Sequence, residues 1–165
     1  MSKIKFLNFS FEYSTGAVIF KKENNKILFL LLHYVSGHWD FVKGKTEKGE
    51  SDLATLKREA LEEAGIDDLK VVADFKKCSY YFYKTRGSEK KSRLREGRGV
   101  NIFKKVAFYL AQSEKGSVDM KKIKKSHECQ GYTWIEYDKA INRITHPRQQ
   151  KILKEAMERL QSKKI

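Results

Sequence analysis

The stretch from Gly44 to Ile66, GKTEKGESDLATLKREALEEAGI, constrains the chain most, because it states where an interior helix begins, where it ends and which face it must bury. Ser51 is suited to accept hydrogen bonds from the free N–H groups of a first helical turn. Gly65 is suited to leave a helix in the left-handed region. Together they predict a helix over about 52–64. At 100° per residue, Glu59, Glu62 and Glu63 share one face about 100° wide. Leu53, Leu56, Ala60, Leu61 and Ala64 take the other side and should dock on a sheet. Carboxylates spaced i,i+3 and i,i+4 repel one another, which weakens the helix. A hard divalent cation such as Mg²⁺, which favours carboxylate oxygens, would offset that repulsion. A Glu-Glu pair alone would ordinarily be a solvated face, so the residues around it must decide.

Around this helix the pattern is strand-like. Ile4 and Phe6, then Phe9, Phe11 and Tyr13, alternate at period two with a slip near Leu7–Asn8, as one bent strand or two short ones. Runs at 16–20 and 27–35 flank an Asn24–Asn25 turn signal. Further strands are expected at 69–74, 75–83, 103–111 and 130–135, with a short helix over 137–144. Pro147 should open a last helix, to about 162, whose Ile152, Leu153, Ala156, Met157 and Leu160 form one stripe. The class is therefore α/β (α+β): a mixed sheet with helices on both faces, in a single domain over 1–165. The longest apolar run, Ile27 to Leu32, is far too short for a bilayer, and the first residues lack an export signal. No membrane role, a cytoplasmic address, reduced thiols at Cys78 and Cys129, and a monomer are the expectations.

Charge adds a second constraint. Thirty-five Lys and Arg against 21 Asp and Glu give +14 and a pI near 9.7, a field that attracts polyanions. Half of it comes from 84–105, where nine Lys and Arg face only Glu89 and Glu96. Three glycines and few apolar residues predict a mobile basic loop over about 84–101 between two strands. Such a loop is either solvated or a polyanion contact.

Gly44, Glu50, Arg58-Glu59, Glu62-Glu63 and Gly65-Ile66 reproduce the spacing G-x5-E-x7-R-E-U-x-E-E-x-G-U, where U is bulky or aliphatic. At average residue usage a chance match is on the order of one start site in a billion. Ala60, a small U residue, is the only soft position. The pattern resembles the Nudix hydrolases. That resemblance implies a Nudix α/β/α sandwich and Mg²⁺, with Mn²⁺ as substitute, held by Glu59, Glu63, Glu62 and the Gly44 carbonyl. It also implies attack by water at a phosphorus of a nucleoside diphosphate joined to a further group. Arg58 should orient a neighbouring carboxylate, Glu50 or Glu59.

Thr15–Phe20, Ile27–Leu32, Gly37–Lys45, Lys48–Glu50 and Ser126–Trp134 further resemble the diadenosine tetraphosphate hydrolase branch, over most of 14–135. The resemblance implies that Glu128 reaches the metal site as one candidate general base, with Glu59 and Glu63 competing. Tyr81 and Tyr132 would sandwich an adenine, and Lys43, Lys104 and His38 would meet phosphate oxygens. His33, His127 and His146 lack zinc spacing. Two departures stand out: Val42 replaces a usual proline, and the basic insertion interrupts the branch pattern. Three substrates fit: the dinucleotide split to ATP and AMP, a triphosphorylated or capped RNA 5′ end with the 84–105 segment tracking RNA, or an inositol pyrophosphate. A non-catalytic nucleotide or RNA sensor is the reading of another class, and the intact glutamate set counts against it.

Overall fold

A computed structural model describes residues 9–119, 123 and 128–162. The Ile4–Phe6 strand expectation lies outside them. The elements are β1 (Phe9–Glu23), β2 (Lys26–Tyr34), β3 (Trp39–Asp40), β4 (Val42–Lys45), α1 (Asp52–Ala64), β5 (Leu69–Lys84), α2 (Gly87–Arg95), β6 (Asn101–Ser113), β7 (Cys129–Glu136), α3 (Tyr137–Arg143) and α4 (Pro147–Ser162).

The sheet is mixed. β1 and β2 form an antiparallel hairpin over Asn24 and Asn25, both at positive φ as such tight turns require. β1 then runs parallel to β6 from Phe9 opposite Asn101 to Phe20 opposite Gln112. The central path is β3-β2-β1-β6-β5, with β4 on β1 and β7 on β2. Because β6 pairs with β1 without a break from Phe9 to Phe20, the segments at 9–13 and 16–20 join as one strand. The break expected between 74 and 75 is a bulge inside β5, where Asp74 takes positive φ and the register slips between Val71 and Lys76.

Alternation divides β1 between two cores. Val18 and Phe20 pack with Phe29, Phe108, Leu153 and Ala156 beneath α3 and α4. Ala17 and Ile19 pack with Leu30, Leu32, Leu56 and Ala60 beneath α1. The result is a helix–sheet–helix sandwich. No helix among the described residues is long and apolar enough to cross a membrane.

Two expectations need correction. Leu53 is 46% exposed, whereas Glu59 and Glu63 are only 1% and 2% exposed. The carboxylate side of α1 is thus turned into the molecule, beside Leu56, Ala60 and Ala64 rather than away from them. The basic segment is not an open loop either. β5 and β6 run on to Lys84 and from Asn101, and α2 folds between them. Thr85 N–H donates to the Val100 carbonyl at 2.9 Å, closing its neck. Arg93, 4% exposed, donates to Glu12 from both terminal nitrogens at 2.9 Å and to the Gly99 carbonyl at 2.9 Å. A polar helix of nine residues has little stability of its own, so this inward arginine is what docks it.

Candidate active site

α1 carries the acidic groups, and its ends follow the sequence signals. Ser51 Oγ accepts from Ala54 N–H at 3.2 Å, and Gly65 ends the helix at φ 65°. The first turn is pinned to the sheet through Asp52, which accepts from Tyr13 (2.9 Å), Tyr109 (2.6 Å) and Lys76 (2.8 Å). Burial raises the Asp52 pKa, but those three hydrogen bonds outweigh it and hold the carboxyl below its usual value.

One turn on, Arg58 gathers the motif. Its Nε and Nη2 bind both oxygens of Glu50 at 2.9 Å, and Nη1 reaches Glu59 at 2.6 Å and Glu62 at 3.3 Å. Nη2 also donates to the Lys45 carbonyl at 2.9 Å, which ties α1 to β4. This fork, a geometry lysine lacks, drops the Glu50 carboxyl to about 2, chiefly through the Arg58 hydrogen bonds. Arg58 therefore meets both of the partners the sequence suggested.

Gly44 faces Glu59 directly. A Cβ at 44 would fall 1.7 Å from the Glu59 carboxyl carbon, so only glycine admits this approach. Glu63 accepts from Tyr34 Oη at 3.0 Å and from Lys43 N–H at 3.1 Å. Burial, with the Glu59 charge adding to it, pushes the Glu63 carboxyl up to about 7 despite those donors and the Lys43 charge.

Beside these carboxylates lies a cavity of about 200 Å³ lined by His38, Asp40, Lys43, Tyr81, Tyr83, Lys104, Val106 and His146. Four of the five expected substrate contacts thus share one wall. Lys43 Nζ is 2.9 Å from Asp40 and 4.5 Å from the Tyr34 ring centroid. Burial first, and then the charge of Lys43, lower the Lys104 pKa. Two ammonium groups competing in a half-buried hollow favour an anionic occupant. His38, stacked on Tyr34 at 4.8 Å, is likewise lowered by burial and by Lys43. Tyr81 lies opposite Lys104 in the β5–β6 ladder, and its hydroxyl accepts from Gln149 of α4. α2 docks on the same sheet face, through Glu12, so the basic insertion flanks this cavity.

Tyr132 stands elsewhere: 42% exposed on β7, opposite Leu32, and not in the cavity wall. Glu128 is exposed, and its carbonyl accepts from Val35 N–H at 2.9 Å, one residue from the Tyr34 that binds Glu63. His127 lies outside the described residues. The sequence gives no signal for Tyr34, Asp40 or Tyr83, and it offers His146 only as a histidine without zinc spacing. An aromatic residue ending an apolar strand looks like packing, and Asp40 looks like a turn residue.

Among the described residues, no three His, Cys, Asp or Glu side chains converge as a ready-made cation cage. The donor chemistry nevertheless fits a divalent ion. Two carboxylates are almost fully buried side by side, one with its pKa raised by burial and by its neighbour, and Glu62 adjoins them on the same helix. Such a pair is short of positive charge, and a hard cation with oxygen preference supplies it.

The NUDIX domain family matches residues 11–157. The chain belongs to the NUDIX family. The asymmetrical bis(5′-nucleosyl)-tetraphosphatase of Sus scrofa is 35% identical over 135 residues, covering 76% of this chain and 79% of its own. A crystal structure of a C. elegans Ap4A hydrolase binary complex superposes with a TM-score of 0.71 at 27% identity, covering 92% of this chain and 98% of that one. A NUDIX hydrolase structure from Listeria monocytogenes, at 20% identity and a TM-score of 0.65 over 91% and 94% of the chains, shares the fold. This NUDIX protein is a hydrolase of phosphoric anhydride bonds, in a family that works with divalent metal ions.

Proposed function

We propose that this NUDIX hydrolase splits diadenosine tetraphosphate asymmetrically into ATP and AMP with Mg²⁺, in the cytoplasm. The observation that carries the reading is the cavity in which Lys43, Lys104, His38 and Tyr81 meet beside the buried Glu59–Glu63 pair. It combines cations for a polyphosphate with a ring for a nucleobase. The 35% identity to the porcine tetraphosphatase supports the same substrate. Glu59, Glu63 and Glu62, with the Gly44 carbonyl, would hold the metal, and Glu128 would approach from its own loop. Bound there, the ion supplies Lewis-acid charge neutralisation and a lower pKa for the attacking water.

The chain's own groups do the rest. Lys43 and Lys104 bind the bridging phosphates, and His38 offers them a ring nitrogen. Tyr81, held by Gln149, presents its ring to adenine. Arg58 keeps Glu59 and Glu50 oriented. Glu128, Glu59 or Glu63 takes a proton from water. The water oxygen bonds to phosphorus and the anhydride oxygen leaves with ATP.

A second reading rests on the +7 of residues 84–105, now placed beside the cavity by α2: pyrophosphate release from a 5′-triphosphorylated RNA. Diadenosine tetraphosphate and 5′-triphosphate RNA, offered side by side with Mg²⁺, separate the two. ATP plus AMP at far higher kcat/KM supports the first reading, and efficient pyrophosphate release from RNA overturns it. Deleting 88–98 in the same assay should leave dinucleotide turnover largely intact.

A further inference from the structure

Where β1, β5 and β6 run past the first turn of α1, no element among the described residues covers one sheet face. Strand registers set its side chains in rows across the three strands. Phe11, Phe103 and Phe82 make one row, and Tyr13, Lys105 and Tyr80 make the next. Phe9, Asn101 and Lys84 make the outer one. Tyr13 shows which face this is, because its hydroxyl reaches Asp52 of α1. Lys104, Tyr81 and Tyr83 alternate to the opposite face, with the catalytic cavity.

The aromatic rows are strongly exposed: Phe11 by 82%, Phe82 by 64%, Tyr80 by 48%. Their rings are nevertheless ordered against one another. Phe9 and Phe82 lie 6.0 Å apart, Phe11 and Phe103 5.8 Å, and Tyr80 and Phe103 6.1 Å. A contiguous aromatic face of this kind on a soluble domain marks a binding surface. Lys84 and Lys105 stand within it, and no carboxylate occupies any of its nine positions.

We infer that this face binds single-stranded RNA, with bases stacked on Phe11, Phe82 and Phe103 and phosphates led along Lys84 and Lys105. An aromatic sheet platform edged by cations holds unpaired bases by their π-faces, which duplexes conceal. Charge decides between RNA and a second copy of the chain. Two chains of +14 meeting through lysine-bearing, carboxylate-free faces repel, whereas a polyanion is attracted. The inference is independent of which polyphosphate the cavity hydrolyses, since the two sites lie on opposite faces of the same strands.

The test is fluorescence anisotropy with the full chain and a labelled 12-nucleotide oligouridylate over a range of salt. Phe11→Ala and Phe82→Ala should each weaken binding about tenfold. Phe11→Leu should lose as much, because it keeps the apolar surface and removes only the ring. The salt slope should be unchanged in these variants, and turnover of diadenosine tetraphosphate should equal that of the wild type. Lys84→Gln with Lys105→Gln should instead flatten the slope by about 0.7 per charge. Wild-type binding by the phenylalanine variants, or equal competition from duplex RNA, overturns the inference in favour of charge alone. A concentration-dependent dimer abolished by Phe11→Ala overturns it in favour of a second copy.

Discussion

Gly44→Ala is the smallest change that tests how the site is assembled. The new Cβ would lie 1.7 Å from the Glu59 carboxyl carbon and 1.8 Å from one of its oxygens, about half a normal contact distance. Three relaxations are open. β4 moves, which breaks its ladder with β1 at Thr15 and Gly16. α1 moves, which disturbs the fully buried Leu56, Ala60 and Ala64. Or the Glu59 side chain turns, which forfeits the 2.6 Å bond to Arg58. Overpacking of this kind costs about 1–3 kcal/mol, whichever route is taken. In a domain of this size that lowers Tm by roughly 3–10 °C. Every route also shifts Gly44 and Glu59 relative to each other by about an ångström or more, and misplacement on that scale costs roughly a hundredfold in kcat. Gly131→Ala is the control, since a Cβ there meets nothing within 4 Å and its backbone is not at positive φ. Thermal unfolding of the metal-free protein and turnover at saturating Mg²⁺ read the two effects separately. Unchanged Tm and kcat in Gly44→Ala, or equal damage in Gly131→Ala, would refute the close approach and the site geometry built on it.

Glu63→Gln should keep the fold, because an amide still accepts from Tyr34, and should cut turnover by several orders of magnitude; near-normal kcat with Mg²⁺ would remove Glu63 from the metal set. Chelation by EDTA should abolish turnover while leaving far-UV circular dichroism unchanged, and restored Mg²⁺ should recover it. Asp52→Asn should cost about 1–2 kcal/mol at pH 7 through its weakened bonds to Tyr13, Tyr109 and Lys76. Since the folded Asp52 pKa lies below its ordinary value, this stability is present above pH 4 and disappears as pH falls through the folded pKa. The gap in Tm between wild type and Asp52→Asn should therefore close in acid; a constant gap would point to packing alone. Arg93→Ala should leave Glu12 without its buried partner and release α2, read as faster hydrogen exchange and protease cutting over 86–99 with core amides still protected.

What was legible in the sequence follows a physical rule. Signals that act locally were readable: Ser51 and Gly65 bracket α1 where a cap and a left-handed exit must lie, and Asn24–Asn25 turn the hairpin. The Gly44 to Ile66 spacing carried the family, because metal and phosphate chemistry fixes residue types at fixed intervals. What failed depended on partners distant in the chain. At 100° per residue Leu56 already falls beside Glu63, so the wheel sets the glutamates at the border of the apolar stripe; what it cannot show is that β4 passes across that side and that Gly44 lets it come close enough to bury Glu59. Arg93 is indistinguishable from eight neighbouring cations until β1 brings Glu12 to it across 81 residues, and that one contact turns an expected loop into a docked helix. The aromatic rows show the same limit from the other side. Phe9 and Phe11, Tyr80 and Phe82, and Phe103 each read as ordinary strand alternation, which assumes the apolar side is the buried side. Only the parallel pairing of β1 with β6, and the end of α1 short of those rows, shows that this alternation points into solvent. Local pattern assigns a residue to a face; what covers that face is decided by elements far along the chain.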